Sequence, residues 1–237
     1  MAAKPTQNWL IAPPLNDTKP TTAQGLVIYH FGMGETSTAP MTDTRKTALI
    51  EAVRAAGYIV ASTSDHGDNC GNSAALADYI ELLNYCMDVW KVKRVIHLSQ
   101  SMGGLSGLLT VSNRALPVRG WAGIYPVCNL QNFHDNVTFT AAVRTAYGIA
   151  GDDSDYAAKT AGHDPVLLNG SKFGGLRIRF YASPDDVVVP KVNNTDVMKA
   201  LVAGTTLESD VVVCSGDHGD ASHFQSADLI SFLDRCV

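Results

Sequence analysis

The sequence predicts an α/β fold, a mostly parallel sheet with helices on both faces. Three observations carry this. Short apolar runs of strand character alternate along the chain with longer stretches of helical periodicity. Runs such as Leu26-Val27-Ile28-Tyr29 and Tyr58-Ile59-Val60-Ala61 are continuously apolar, as strands covered on both faces are. The length, 237 residues, suits one large α/β domain better than two small ones.

Residues 1–24 carry Pro5, Pro13, Pro14 and Pro20 and read as an irregular arm, with Trp9-Leu10-Ile11-Ala12 as one short edge strand. Leu26-Val27-Ile28-Tyr29 is the first buried strand and runs into a Gly-containing turn. Residues 43–56 form a helix capped near Thr42 or Asp43 and stopped by Gly57. Tyr58-Ile59-Val60-Ala61 is a strand. Between Ser73 and Trp90, Leu76, Tyr79, Ile80, Leu83, Cys86, Met87 and Trp90 recur at helical spacing and predict a broad apolar face. Arg94–Leu98 is a strand, 102–112 a helix and Trp121–Tyr125 a strand. Residues 176–181 alternate Leu, Arg, Ile, Arg, Phe, Tyr, a strand with one less buried face. Residues 195–203 are helical, Val211–Cys214 is the last strand and 224–235 the last helix. The stretch 126–175, about 50 residues, is long for one crossover. It is expected to hold a crossover helix and a small cap within about 128–175, inside a single domain spanning 25–237.

Hydrophobic residues make up 46% and charged residues 17%, the reverse of a disordered chain's balance. No apolar run reaches the ~18 residues of a membrane span. The start shows no signal-peptide pattern, so a cytoplasmic location is expected. Net charge is −5 and the basic residues are scattered, which argues against a nucleic-acid partner. The five cysteines, Cys70, Cys86, Cys128, Cys214 and Cys236, form no CxxC and read as buried thiols of a reducing compartment.

In such sheets functional residues gather at the carboxyl ends of the strands. Ser99-Gln100-Ser101-Met102-Gly103-Gly104 follows one strand and opens one helix. A nucleophile elbow is so tight that the residues two before and two after the nucleophile must be small. Ser99 and Gly103 satisfy this around Ser101. Ser99 fails the same condition, because His97 stands two before it. A serine hydroxyl needs a base, and the base an orienting group. Downstream, Asp185 and Asp186 follow the strand ending at Tyr181-Ala182, and His218 follows the last strand in Ser215-Gly216-Asp217-His218-Gly219-Asp220. His223 is a rival base, but its place against the last helix suits a capping or surface role.

With these three motifs the sequence resembles the α/β-hydrolases over roughly residues 25–235. The resemblance implies Ser101 as nucleophile, His218 as general base and Asp186 as orienting acid, four residues before Pro190, with Asp185 the alternative. It implies an oxyanion hole of two backbone N–H groups. One belongs to Met102. The other lies in Tyr29-His30-Phe31-Gly32-Met33-Gly34-Glu35, where Phe31 interrupts the family's His-Gly-X pattern. Met33 is favoured there, with Phe31 and Gly32 as alternatives. The short beginning implies a sheet one strand shorter at that edge than many members have.

Ser64-Asp65-His66-Gly67-Asp68-Asn69-Cys70-Gly71-Asn72 also follows a strand. Its mixed ligands match no zinc spacing, so a pocket-lining loop or plain turn is expected and no metal or other cofactor. The expected activity is a serine hydrolase acting on a small or medium carboxylic ester. The alternatives are a thioesterase or acyltransferase on the same residues, a cofactor-free lyase or perhydrolase, and a non-catalytic binding protein on the same scaffold.

Overall fold

The computed structural model describes residues 4–15, 23–64, 66–113 and 116–236. Pro20 and the rest of 16–22 in the arm, and Asp65 in the loop after Thr63, lie outside them. Among the described residues seven strands form one sheet: β1 (Trp9–Ala12), β2 (Gly25–His30), β3 (Tyr58–Thr63), β4 (Val95–Gln100), β5 (Val118–Ile124), β6 (Arg177–Ala182) and β7 (Glu208–Val213). Their spatial order is β1-β3-β2-β4-β5-β6-β7. Only β1 runs antiparallel, pairing Trp9 with Thr63 and Ala12 with Val60. Among the described residues it is the one strand that precedes β2, at the edge where the sequence places it.

Successive side chains of a strand point to opposite faces, and that alternation divides the core in two. Val27, Tyr29, Val60, Ile96, Leu98, Ala122 and Ile124 meet Leu49, Ile50 and Val53 of α1 (Thr44–Ala55) and Leu229, Phe232 and Leu233 of α8 (Ser226–Arg235). Leu26, Ile28, Ile59, Trp121, Ile178 and Phe180 meet α2 (Ser73–Trp90), α3 (Gly103–Val111) and α7 (Thr195–Val202). Both faces of the sheet are covered, as the continuous apolar runs predict.

The caps follow the chemistry of short polar side chains. Asp43 accepts from Arg45 N–H at the start of α1, and Asn72 from Ala75 N–H at the start of α2. The buried face of α2 is rotated from the predicted one. It centres on Ala75, Asp78, Tyr79, Leu82, Leu83 and Cys86, while Leu76, Ile80, Met87 and Trp90 are half-buried. The reason is that α2 packs against both β3 and α3, so small Ala75 turns inward. Asp78 goes with it because His66 Nδ1 bonds its carboxylate at 2.6 Å.

The last strand starts at Glu208, three residues before the predicted start. Glu208 accepts from Arg177 (3.2 Å), Arg179 (3.0 Å) and Arg235 (2.7 Å), so paired charge replaces apolar character at this edge. The crossover between β5 and β6 holds no long helix. It contains α4 (Leu130–Asp135), α5 (Thr140–Tyr147) and α6 (Tyr156–Lys159), followed by two 3-10 turns. Leu130, Phe133, Val143 and Ile149 of this segment form a third cluster with Cys70, Met102, Leu105 and Val189. All five cysteines are buried and unbridged. Among the described residues no helix is long and apolar enough to cross a membrane.

Beneath the carboxyl ends of β2 and β4 lies a fully buried histidine pair. His30 Nε2 and His97 Nδ1 are 2.8 Å apart, and His30 Nδ1 meets Ser106 Oγ at 3.0 Å. Burial pushes His97 down to about 3. His30 is also pushed well below its usual value, by burial and then by the neighbouring His97 ring. An unfolded histidine binds its proton near pH ~6.5, while these two stay neutral when folded. Their contribution to stability is therefore present above pH ~6.5 and is lost progressively as pH falls below it, for His97 down to about 3. Calorimetric unfolding at about pH 5 is expected to take up about two protons from this pair, and about one fewer in His97→Asn.

Candidate active site

Loops at the carboxyl ends of five parallel strands build one cleft. β4 ends at Gln100, and Ser101 turns the chain at once into α3 with φ +49°. A non-glycine residue in this region is strained and persists only where its surroundings hold it. Here Ser101 N–H bonds the Ile124 carbonyl at 3.1 Å, and Val127 N–H bonds the Ser101 carbonyl at 2.8 Å. The glycines that follow give the turn room. A Cβ on Gly103 would collide with the His30 and Phe31 carbonyl oxygens, and one on Gly104 with the Val127 carbonyl. One on Gly107 would strike Ser99 Oγ, which accepts from the Trp121 indole N–H at 2.9 Å.

Asp186 lies four residues past the end of β6, and His218 five past the end of β7. Ser101 Oγ is 2.9 Å from His218 Nε2, and His218 Nδ1 is 2.7 Å from Asp186 Oδ2. An ionised carboxylate only accepts, so Nδ1 carries the proton, and in the neutral ring Nε2 is left to accept from the serine hydroxyl. The other carboxylate oxygen, Asp186 Oδ1, accepts from Val188 N–H and Val189 N–H, each at 2.9 Å. These two bonds fix the acid. Its side chain is 2% exposed and that of His218 19%.

Asp185, the alternative acid, is exposed and does not reach the histidine. His223, the rival base, is fully buried rather than on the surface. Its Nδ1 meets the Asp220 carbonyl at 3.1 Å, and its ring lies 5.1 Å from that of Tyr125. It supports the wall behind His218 and does not approach Ser101.

The loop after β2 passes directly against Ser101: the Cβ position of Gly32 lies 3.4 Å from Ser101 Cβ. Gly32 N–H donates to Glu35 Oε2 at 3.1 Å and Gly34 N–H to Asp68 Oδ1 at 2.6 Å. Between them Met33 N–H has no partner among the described residues, and neither does Met102 N–H at the start of α3. Gly32, one alternative donor, is thereby engaged, while Phe31 N–H, the other alternative, is like Met33 N–H without a partner among the described residues.

The cleft has a volume of about 400 Å³. Met33, Phe139 and Val188 line it with apolar groups, and Glu35, Asp43, Arg45 and Lys46 with charged ones. Sequence reasoning missed these charged residues and Tyr125. Arg45 pairs with Asp43 at 2.6 Å, and its guanidinium donates to the Gly219 carbonyl beside His218. The Arg45 hydrogen bonds hold the Asp43 carboxyl down at about 2. The Tyr125 ring packs edge-on to His218 at 4.4 Å, and its backbone, at φ +37°, is the second strained turn of the site. Burial pushes the Tyr125 hydroxyl upward, so it stays protonated.

The loop after β3 braces the site through Asp68, and none of its described residues lines the cleft. Burial pushes the Cys70 thiol up to about 12, so it is no thiolate at neutral pH.

The chain has the α/β-hydrolase fold. It superimposes on S-formylglutathione hydrolase from Agrobacterium tumefaciens with a TM-score of 0.72 and 13% identity, over 98% of this chain and 90% of that one. Est1E from Butyrivibrio proteoclasticus gives 0.67 and 13%, over 97% and 93%. Puromycin hydrolase gives 0.72 and 13%, over 98% of this chain and 39% of that one. No protein family and no curated protein matches the chain by sequence.

The glycine packing of the elbow is directly testable. Gly103→Ala is expected to lower stability by about 1–3 kcal/mol, read as a reduced denaturation midpoint, because two backbone carbonyls must move. Gly148→Ala, with open space around it but φ +63°, tests backbone strain without a collision and is expected to cost about 1 kcal/mol.

Proposed function

We propose that the protein is a serine hydrolase that cleaves a carboxylic ester of a small or medium substrate through an acyl-enzyme. The observation that carries this is the hydrogen-bonded line from Ser101 Oγ through His218 to Asp186, opening on a cleft beside two unengaged backbone N–H groups. In this reading Ser101 attacks the ester carbonyl while His218 Nε2 takes its proton. The carbonyl oxygen, now an oxyanion, accepts from Met102 N–H and Met33 N–H. His218 then protonates the departing alcohol, and water repeats the two steps on the acyl-enzyme. Asp186 holds the Nδ1–H tautomer and stabilises the imidazolium without taking the proton. The start of α3 adds a favourable partial positive charge at the oxyanion.

The scheme calls on no metal. Nucleophile activation comes from His218, and the charge of the oxyanion is met by backbone dipoles. The segment 128–175 acts as a small cap on one domain covering 25–237, with Phe139 as its contribution to the cleft. The similar solved structures include hydrolases and peptidases, so the fold does not choose the leaving group.

The reading is tested with a panel of p-nitrophenyl esters and matching thioesters of graded acyl length. Ester turnover that vanishes in Ser101→Ala supports it. A thioester preference transfers the activity to the thioesterase alternative. Absence of any turnover, with no fluorophosphonate labelling at Ser101, favours a binding protein instead. Asp186→Asn is expected to lower kcat by roughly 10⁴, the loss seen when a triad acid becomes an amide. Asp185→Asn is expected to stay within about threefold of the parent.

A further inference from the structure

The unengaged Met33 N–H lies between two clamped neighbours, and one of the clamps is a carboxylate with three partners. Glu35 Oε2 accepts from Gly32 N–H at 3.1 Å. Glu35 Oε1 accepts from Lys46 Nζ and, at 3.4 Å, from Gln100 Nε2. Gln100 directly precedes Ser101, and its own oxygen accepts from the Tyr29 hydroxyl at 2.5 Å. Lys46 sits on α1 with its side chain only 7% exposed. One carboxylate thus ties the loop after β2, the end of β4 and the first helix to each other beside Ser101.

We propose that Glu35 is a positioning residue that fixes the Phe31–Gly34 loop so that Met33 N–H faces the oxyanion. This rests on the serine-hydrolase reading above. A carboxylate lining the cleft would by itself repel the negative charge that develops on the substrate oxygen. Lys46 answers that objection: its ammonium pairs with Glu35, so the clamp adds hydrogen bonds without adding net charge. With Asp68 holding Gly34 N–H at 2.6 Å, both neighbours of Met33 are anchored and its peptide cannot swing away. The arrangement is preorganised, which is what makes such donors effective.

The test compares the parent, Ser101→Ala, Glu35→Gln and Glu35→Gln/Lys46→Met on an ester and its thionoester, in which sulfur replaces the carbonyl oxygen. A parent without Ser101-dependent turnover overturns the hydrolase reading itself. Given that turnover, Glu35→Gln is expected to lower kcat by about 10- to 100-fold with KM within about threefold, because an oxyanion donor is displaced while ground-state binding stays as it was. The ester-to-thionoester ratio of kcat/KM is expected to fall by a similar factor, since sulfur is a poor acceptor and gains little from the donor. The double variant removes the ammonium stranded by Glu35→Gln. It is expected to recover melting temperature without recovering kcat or the ratio, and it carries the test if the single variant folds poorly. An unchanged ratio, or a kcat that returns together with stability, overturns the proposal.

Discussion

The backbone at Ser101 is the constraint on which the rest depends. Its φ of +49° is unfavourable for a residue with a side chain, and the fold holds it there with two backbone hydrogen bonds to the neighbouring strand β5 and the loop after it. The turn closes only because Gly103, Gly104 and Gly107 let α3 lie against the loop after β2 and the end of β5. That tightness lifts the hydroxyl out of the sheet toward His218 and leaves Met102 N–H without a partner among the described residues at the head of the helix. Strain, close packing and an exposed hydroxyl are one feature seen three ways.

Around this turn backbone groups and neighbouring loops support the polar side chains from outside their own line. Asp186 is pinned by Val188 and Val189 N–H, so its free oxygen can face only His218. The histidine loop is held from the far side by Arg45 through the Gly219 carbonyl. Tyr125 and the buried His223 fill the space behind the imidazole, which fixes its plane. Each side chain of the line therefore has a support outside it. A substitution in that support is expected to act on geometry before it acts on chemistry.

Much of this was legible in the sequence, for a physical reason. Strand and helix periods are local, so α2 could be bounded at Ser73 and Trp90 from its own residues. Ser101, Asp186 and His218 stand out because each follows a strand directly, and parallel strands deliver their ends to one edge. What stayed hidden depends on distant partners. The inward turn of Asp78 depends on His66, and the strand character of Glu208 on three arginines from β6 and α8. Asp185 and Asp186 are equivalent as letters; the family resemblance favours Asp186 by its distance from Pro190, and the path of the turn after Ala182 leaves Asp185 exposed. Arg45 and Lys46 gave no signal, and Glu35 and Tyr125 read only as part of a loop and a strand end, because Arg45 meets Gly219 from 174 residues away and Glu35 meets Gln100 from 65 away.

The crossover between β5 and β6 has a consequence of its own. Phe139 reaches the cleft from this segment and stacks on Phe133 at 4.4 Å, within a cluster built largely of the segment's own apolar residues. None of Ser101, Asp186 or His218 comes from it. Under the proposed function, selectivity and reactivity would therefore sit on separate stretches of polypeptide. In that reading a library randomised around Phe139 reshapes what the cleft admits while Ser101, His218 and Asp186 keep their places, so this segment is the natural starting point for directed evolution of the scaffold.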